Sequence, residues 1–360
     1  MEQTKVPLLM TPGPTVVPER ILKALSKPLI HHREKEFLEM VTSCTSRLQD
    51  IFKTKNDLFT LTCSGTGAME AAIANTISPG DKVLSIVNGV FSERLSNIAT
   101  AFGATVRTLS APWGQAVDIQ KFKEVFQSGN YKLVTAVHNE TSTGARNPIS
   151  EIGKIVSQTN SLFAVDVISS LGGDNIETDN WNIDFCISGS QKCLMLPPGL
   201  GFITVSEKAW ESVKKKQGGR FYFNLLKFKE KFPDNPWTTA INLVFGLDEA
   251  LNMIFEEGLE NRIKRHAEVA AYCRQETKKL GFKLFVNPES VCSQTLTSLT
   301  HPTLDVEKMR SIVKQKYNIQ MSGGQKELKG KIFRIGHMGV VGKKEVDMTI
   351  EAIGKTLKEL

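Results

Sequence analysis

None of the six cysteines, at positions 44, 63, 186, 193, 273 and 292, pairs with another at CxxC spacing, so the sequence shows neither a zinc knuckle nor a redox motif. Several lie in apolar runs, where a thiol behaves as a small hydrophobe. That usage points to a reducing compartment, the cytoplasm. Long apolar runs are also missing: nothing approaches the roughly 18 residues a membrane span needs. The apolar start from Val6 to Met10 is too short for a secretory leader and runs straight into Pro12 and Pro14. Dense charge of one sign is scarce. The net charge of +7 is scattered, and the one basic run, Lys214-Lys215-Lys216, is a pattern usual on solvated helix faces. A nucleic-acid binder concentrates basic residues on one element with aromatics between them. Neither nucleic acid nor membrane is therefore an expected partner, although the surplus favours anionic small molecules at a cleft. Internal repeats and low-complexity segments are absent too.

What remains is ordinary globular usage, 41% hydrophobic and 23% charged over 360 residues. That is enough chain for two or three domains and a substantial core. Residues 11–18, with three prolines and a glycine, form an extended arm. Helices are expected from about Pro18 and from Phe37 to Phe52. Beyond residue 60, short Val- and Ile-rich runs alternate with amphipathic stretches. The runs are Val83–Val87, Leu133–Val137, Leu162–Val167, Phe185–Ser188 and Phe202–Val205; Phe91–Phe102 and Ile149–Thr159 are examples of the stretches between them. This order predicts an α/β fold with a mostly parallel sheet, whose ligand site forms at the carboxyl ends of the strands. After residue 240 the reading changes. Long helices at Leu243–Glu257 and Leu259–Leu280 flank Gly258. Strands near 283–286, 294–299 and 332–335, a helix at Val306–Lys316 and a last one after Lys344 make a smaller α+β unit. The expected division is an arm at 1–17, a large domain at 18–257 and a small C-terminal domain at 258–360.

Three stretches carry candidate chemistry. Ser64-Gly65-Thr66-Gly67-Ala68-Met69-Glu70 is a Gly-rich turn opening a helix, whose free N–H groups and dipole suit a phosphate. It lacks the third glycine of the dinucleotide fingerprint and the Gly-Lys-Ser/Thr of a P-loop. A plain turn with Ser or Thr at the N-cap fits it equally well. Asp166 ends the apolar run Ala164-Val165 and needs a partner, because an unpaired buried carboxylate is costly; a helix cap or a buried ion pair would also serve. Lys192 follows Ser188-Gly189-Ser190-Gln191 at another strand end. A desolvated lysine becomes a nucleophilic amine able to form imines, whereas the ordinary alternative is a snorkelling surface lysine. Glycine at 189 rules out Ser-x-x-Lys spacing, and no Gly-x-Ser-x-Gly elbow exists.

A phosphate cradle, a carboxylate and an amine, each at the end of a strand of one sheet, are the three groups a pyridoxal phosphate site requires. At this point the chain resembles the fold-type I, class V pyridoxal-phosphate-dependent aminotransferases, near the alanine–glyoxylate and serine–pyruvate enzymes. Pro12-Gly13-Pro14-Thr15 resembles the family's N-terminal arm and Ser64-Gly65-Thr66-Gly67 its phosphate loop. His138-Asn139-Glu140-Thr141-Ser142-Thr143-Gly144 resembles its H-x-E-[ST]-[ST]-T-G block. Val165-Asp166, Ser188-Gly189-Ser190-Gln191-Lys192 and Arg334-Ile335-Gly336 are similar to its Asp, Lys and C-terminal arginine motifs. The likeness runs from residue 8 to about 350.

The resemblance implies that Lys192 carries the cofactor as a Schiff base and shuttles the substrate Cα proton, while Asp166 keeps the pyridine nitrogen protonated. It implies Ser64, Gly65, Thr66 and Gln191 around the phosphate, Phe91 stacked on the ring and Thr141 near the phenolic oxygen. Arg334 would clasp the substrate carboxylate in bidentate fashion, with Gly13 beside the substrate. Read alone, Phe91 also fits a core aromatic and Arg334 a structural ion pair. Thr238 is implied as a phosphate contact from a second subunit of a homodimer, although Trp237-Thr238-Thr239-Ala240 departs from the Thr-Pro common in relatives. His31-His32-Arg33 suits a solvated or packed role, and no metal is assigned. The implied reaction moves an amino group from alanine or serine to glyoxylate or pyruvate. The alternatives are a 2-aminoethylphosphonate–pyruvate aminotransferase, a cysteine desulfurase-type lyase relying on Cys292, and a non-enzymatic phospholigand-binding module that would leave Lys192 and Arg334 without a role.

Overall fold

The computed structural model describes residues 6–360. Fourteen strands are assigned among them. The arm contributes β1 (Leu8–Met10). The next four are β2 (Asp57–Thr62), β3 (Lys82–Val87), β4 (Thr105–Ser110) and β5 (Leu133–Val137). A two-residue ribbon follows, β6 (Asn139–Glu140) with β7 (Ala145–Arg146), and then β8 (Leu162–Asp166), β9 (Phe185–Gly189) and β10 (Leu200–Val205). The C-terminal part holds β11 (Lys283–Leu284), β12 (Leu296–Thr300), β13 (Ile319–Gly323) and β14 (Phe333–Gly336).

Seven of these form one sheet in the order β2-β10-β9-β8-β5-β3-β4, in which β10 alone runs antiparallel to its neighbours. Alternate side chains enter separate cores. Leu84, Ile86, Val134, Ala136, Phe163 and Val165 face one layer of helices. Val83, Leu133, Leu162, Ala164, Phe185 and Ile187 face the other. Burial on both faces is why these strands read as mostly apolar runs rather than alternating ones. The mostly parallel α/β sheet expected from the sequence is therefore present. Because β2, β3, β5, β8 and β9 all point the same way, the turns that follow them meet along one edge.

The second sheet has the order β1-β13-β14-β12-β11, with β1 parallel to β13 and the other pairs antiparallel. Residues 8–10, read as part of an irregular arm, thus form an edge strand of the C-terminal sheet, with Met10 in its core. Helices Leu259–Lys279, Val306–Tyr317 and Lys343–Leu357 cover that sheet through Val269, Cys273, Met309, Val313, Val346 and Ile353. Among the described residues, no helix is long and apolar enough to cross a membrane.

Three buried histidines make the fold acid-sensitive. Burial pushes His138 down to about 4, His337 to about 3 and His266 well below its usual value. Each is neutral when folded and takes up a proton on unfolding, so its contribution is lost as pH falls below the unfolded value near 6.5. Each group still neutral at pH 5 costs about 2 kcal/mol there. Burial raises Asp166 to about 7 and also raises Asp184, and both act in the opposite sense. The net expectation for the apoprotein is lower stability at pH 5 than at pH 7, because three neutral histidines outweigh two raised carboxyls. Urea midpoints at the two pH values measure it, and an equal or higher midpoint at pH 5 contradicts it.

Candidate active site

The edge where the five turns meet holds a pocket lined by Gly13, Ser64, Gly65, Thr66, Phe91, Arg94, Thr141, Asp166, Gln191 and Lys192, among others. Eight residues singled out in the sequence as cofactor ligands, together with Gly13, converge there from stretches up to 180 residues apart.

At its floor, Asp166 closes β8. It is buried, and its Oδ1 accepts from the backbone N–H of Ile168 at 2.7 Å. Among the described residues no donor is placed on its other oxygen. Desolvation raises its carboxyl to about 7, while Lys192 and Arg94 pull it back. Lys192 lies just past β9, 8% exposed, with Nζ 6.0 Å from the centre of the Phe91 ring. Burial lowers its amine to about 8, with Arg334 and Arg94 adding to the effect and Asp166 opposing it. A neutral, nucleophilic fraction at neutral pH follows. Nζ also donates to the carbonyl of Pro12. A Cβ on Gly13 would occupy the space of this side chain, so the arm approaches the lysine this closely only because residue 13 is glycine.

The phosphate turn forms as expected. Ser64 is the N-cap of helix Gly65–Ala74, but its hydroxyl makes no cap bond and stays available to a ligand. The first N–H groups of a helix have no partner within it. Gln191 lines the same pocket, and the NH2 of its amide is the half able to donate to a phosphate. Thr66 Oγ1 accepts from Arg94 at 3.1 Å, and the Arg94 guanidinium sits 4.9 Å from the centre of the Phe91 ring. Arg94 is a cation of the phosphate end that sequence reading overlooked. Its signal is its position three residues after Phe91, on the same side of helix Val90–Ala101.

Arg334, on β14 and 4% exposed, does not itself line the pocket. Its guanidinium donates to the carbonyls of Thr141 (2.7 Å) and Gly323 (2.7 and 3.1 Å). It therefore ties the C-terminal sheet to the turn between β6 and β7 beside the site rather than making an ion pair. Thr238 is exposed and lies outside this chain's own pocket, so within one subunit it is not a cofactor contact. Cys292 is buried with Ala145 and Val286, burial raises its thiol, and it does not line the pocket. Arg262, also absent from the sequence reading, is 1% exposed. It donates to the carbonyls of Gly172 (2.9 Å) and Cys193 (2.6 Å), tying together the loops that carry Asp166 and Lys192.

A free N-cap hydroxyl, the unpaired first N–H groups of the helix behind it, a half-used carboxylate and a desolvated amine fit pyridoxal phosphate end to end. Ser64, Gly65, Thr66 and Gln191 would hold the phosphate, Asp166 the ring nitrogen and Lys192 the aldehyde carbon. When bound, that group supplies a carbon for imine formation and a ring that accepts the electrons of a Cα–H bond.

Residues 8–340 match the family model described as Aminotransferase class-V. The chain is a class V aminotransferase. An uncharacterized aminotransferase of Methanocaldococcus jannaschii is 47% identical over 359 residues, covering 98% of this chain and 93% of that protein. The small subunit of a soluble hydrogenase from Synechococcus sp. is 39% identical over the same length, with the same coverage. A serine–glyoxylate aminotransferase of Arabidopsis thaliana is 33% identical over 362 residues, covering 98% and 90%. The crystal structure of an alanine–glyoxylate aminotransferase from Nostoc sp. superposes with a TM-score of 0.94 at 34% identity, covering 99% of this chain and 97% of that one. The class V aminotransferase described here is thus a pyridoxal-phosphate-dependent transferase of fold-type I, as the resemblance implied.

Proposed function

We propose that this aminotransferase moves the amino group of a small neutral amino acid, alanine or serine, to glyoxylate or pyruvate. The observation that carries this reading is the desolvated Lys192 amine in one pocket with Asp166, Phe91 and the Ser64–Thr66 turn. Lys192 holds the cofactor and moves the substrate's Cα proton. Asp166 holds the proton on the ring nitrogen. Arg334, held by the carbonyls of Thr141 and Gly323, offers its remaining N–H groups to the substrate carboxylate, and Gly13 leaves room for a small side chain. The names of the Arabidopsis and Nostoc relatives support the acceptor, and nothing in this set of groups draws on the chemistry in the name of the Synechococcus relative.

The extra cation in the pocket, Arg94, bonds Thr66 at the phosphate end. It supports the cofactor rather than a donor's phosphonate, which favours carboxylate donors over 2-aminoethylphosphonate. The buried Cys292 argues against a desulfurase. Single-turnover reactions of the cofactor-loaded enzyme with a panel of amino donors, followed by a panel of 2-oxo acids, test the assignment. Alanine or serine with glyoxylate or pyruvate is expected to react fastest. Preference for 2-aminoethylphosphonate or aspartate overturns it.

The enzyme works as a homodimer in the cytoplasm, with Thr238 turned toward the partner's phosphate. Phe221, 71% exposed, stacks on Trp237, and Tyr222 reaches the carbonyl of Thr62 at 3.0 Å next to the phosphate turn. Such an exposed aromatic cluster is suited to burial against another chain.

Arg334→Lys should raise the KM for the amino donor with a smaller change in kcat. A lysine loses the planar two-point grip on a carboxylate, worth about 1.5–3 kcal/mol, or roughly 10- to 150-fold. Steady-state kinetics decide it, and an unchanged KM removes Arg334 from substrate binding.

A further inference from the structure

We propose that Glu140, outside the pocket, is a positioning residue that sets the Phe91 platform, Thr141 and Arg334 relative to the cofactor. This rests on the cofactor reading above.

Glu140 closes β6 and is fully buried. Its carboxylate accepts five hydrogen bonds. Two come from the backbone N–H groups of Phe91 (3.2 Å) and Ser92 (2.9 Å), and a third from the Ser92 hydroxyl (2.9 Å). The remaining two come from the N–H and hydroxyl of Ser142 (3.1 and 2.5 Å). The first three donors belong to the start of helix Val90–Ala101, whose N-cap residue is Gly89 and so offers no capping side chain. Glu140 supplies the missing cap from a different strand, where a negative group also meets the positive end of the helix dipole. The Ser142 hydroxyl in turn accepts from the N–H of Val90 at 2.9 Å. A Cβ on Gly89 would run into Glu140 and Ser142, so the glycine is what allows the carboxylate this close to the helix end.

The consequence reaches three functional groups. Phe91, held through its own N–H, turns its ring toward Lys192 and carries Arg94 above it. Thr141, the next residue after Glu140, lines the pocket, and its carbonyl accepts from Arg334. One carboxylate therefore fixes the ring platform, a pocket hydroxyl and the anchor of the substrate-binding arginine. Its charge adds to the burial that raises Asp166 and opposes the burial that lowers Arg334. The groups acting on Lys192 itself, besides its burial, are Asp166, Arg334, Cys193 and Arg94, so Glu140 reaches the lysine through Asp166 and Arg334.

The test is Glu140→Gln in the cofactor-loaded enzyme. The amide keeps the shape but presents an NH2 to a nest of donors and removes the charge. Asp184→Asn is the control. Asp184 is also buried and accepts from the Phe163 N–H and the Ser206 hydroxyl, but it lies at the opposite ends of the strands. Both variants should lower Tm. Only Glu140→Gln should weaken pyridoxal phosphate binding by about tenfold or more, reduce the visible circular dichroism of the bound cofactor, and move the pH midpoint of the visible band downward. Ser142→Ala, a milder change, should do the same to a lesser degree and serves if Glu140→Gln does not fold. Unchanged affinity and midpoint in Glu140→Gln, or in Ser142→Ala where that stands in, overturn the proposal. So does an equal change in Asp184→Asn. A wild-type protein that binds no pyridoxal phosphate overturns the underlying cofactor reading instead, which the wild-type spectrum reports separately.

Discussion

Replacing Lys192 with alanine is expected to lower kcat by at least about 10³-fold while leaving the fold and most cofactor affinity intact. On the proposed reading the side chain has two jobs, and both end with its loss: it would attach the cofactor, and it would carry the proton from the substrate Cα, a transfer worth about 10²–10⁴-fold alone. Nothing nearby can substitute. The other cation lining the pocket, Arg94, is a guanidinium bonded to Thr66 and cannot act as a base at neutral pH. The phosphate contacts proposed for Ser64, Gly65, Thr66 and Gln191 do not depend on residue 192, so the variant should still take up the cofactor noncovalently. Single-turnover kinetics with alanine or serine measure the loss. Turnover within tenfold of wild type would remove Lys192 from catalysis.

The second large effect is expected at Asp166. An asparagine there is isosteric and can still accept from Ile168, but it cannot hold a proton on the pyridine nitrogen by charge. Removing a preorganised electrostatic partner of the reacting centre costs about 10²–10³-fold in kcat. The apoprotein should respond in the other direction. Burial raises the Asp166 carboxyl to about 7, so above that pH the empty site carries a costly buried charge. Asp166→Asn should therefore stabilise the apoprotein at pH 8 while impairing the loaded enzyme. This opposition distinguishes a functional carboxylate from a structural one, whose loss would lower both. Denaturation at pH 8 and kcat for the same variant give the two signs, and a destabilised apoprotein or an unaffected kcat contradicts the role.

Sequence reading succeeded where burial is uniform and failed where contacts are made through space. Leu133–Val137 is read with correct ends because both faces of β5 are covered and every position is buried, with Thr135 the one polar residue among apolar ones. β4, at the edge of the sheet, is Thr-Val-Arg-Thr-Leu-Ser with mostly exposed positions, so it shows no apolar run and escaped notice. Likewise β13 is short and opens just after Asn318, in the left-handed region at φ 56°. β1 was hidden in a proline-rich context and becomes a strand only because Ile319–Met321 offers an edge to pair with.

The site divides in the same way. Residues whose chemistry is unusual for their surroundings, such as a lysine at an apolar strand end or an aspartate closing a buried strand, were visible without coordinates. Thr238 could not be placed because its implied target lies in another subunit. Arg94, Arg262 and Glu140 act on carbonyls, rings and N–H groups contributed by distant segments. Only Glu140 stood within a recognisable motif, and nothing in that motif shows what its carboxylate holds.

The most direct measurement is borohydride reduction of the protein reconstituted with pyridoxal phosphate, followed by peptide mass mapping. The protein is expected to be yellow, to lose its colour on reduction and to carry one stable pyridoxyl adduct on Lys192. A protein that stays colourless with excess cofactor, or an adduct on any other lysine, contradicts that expectation.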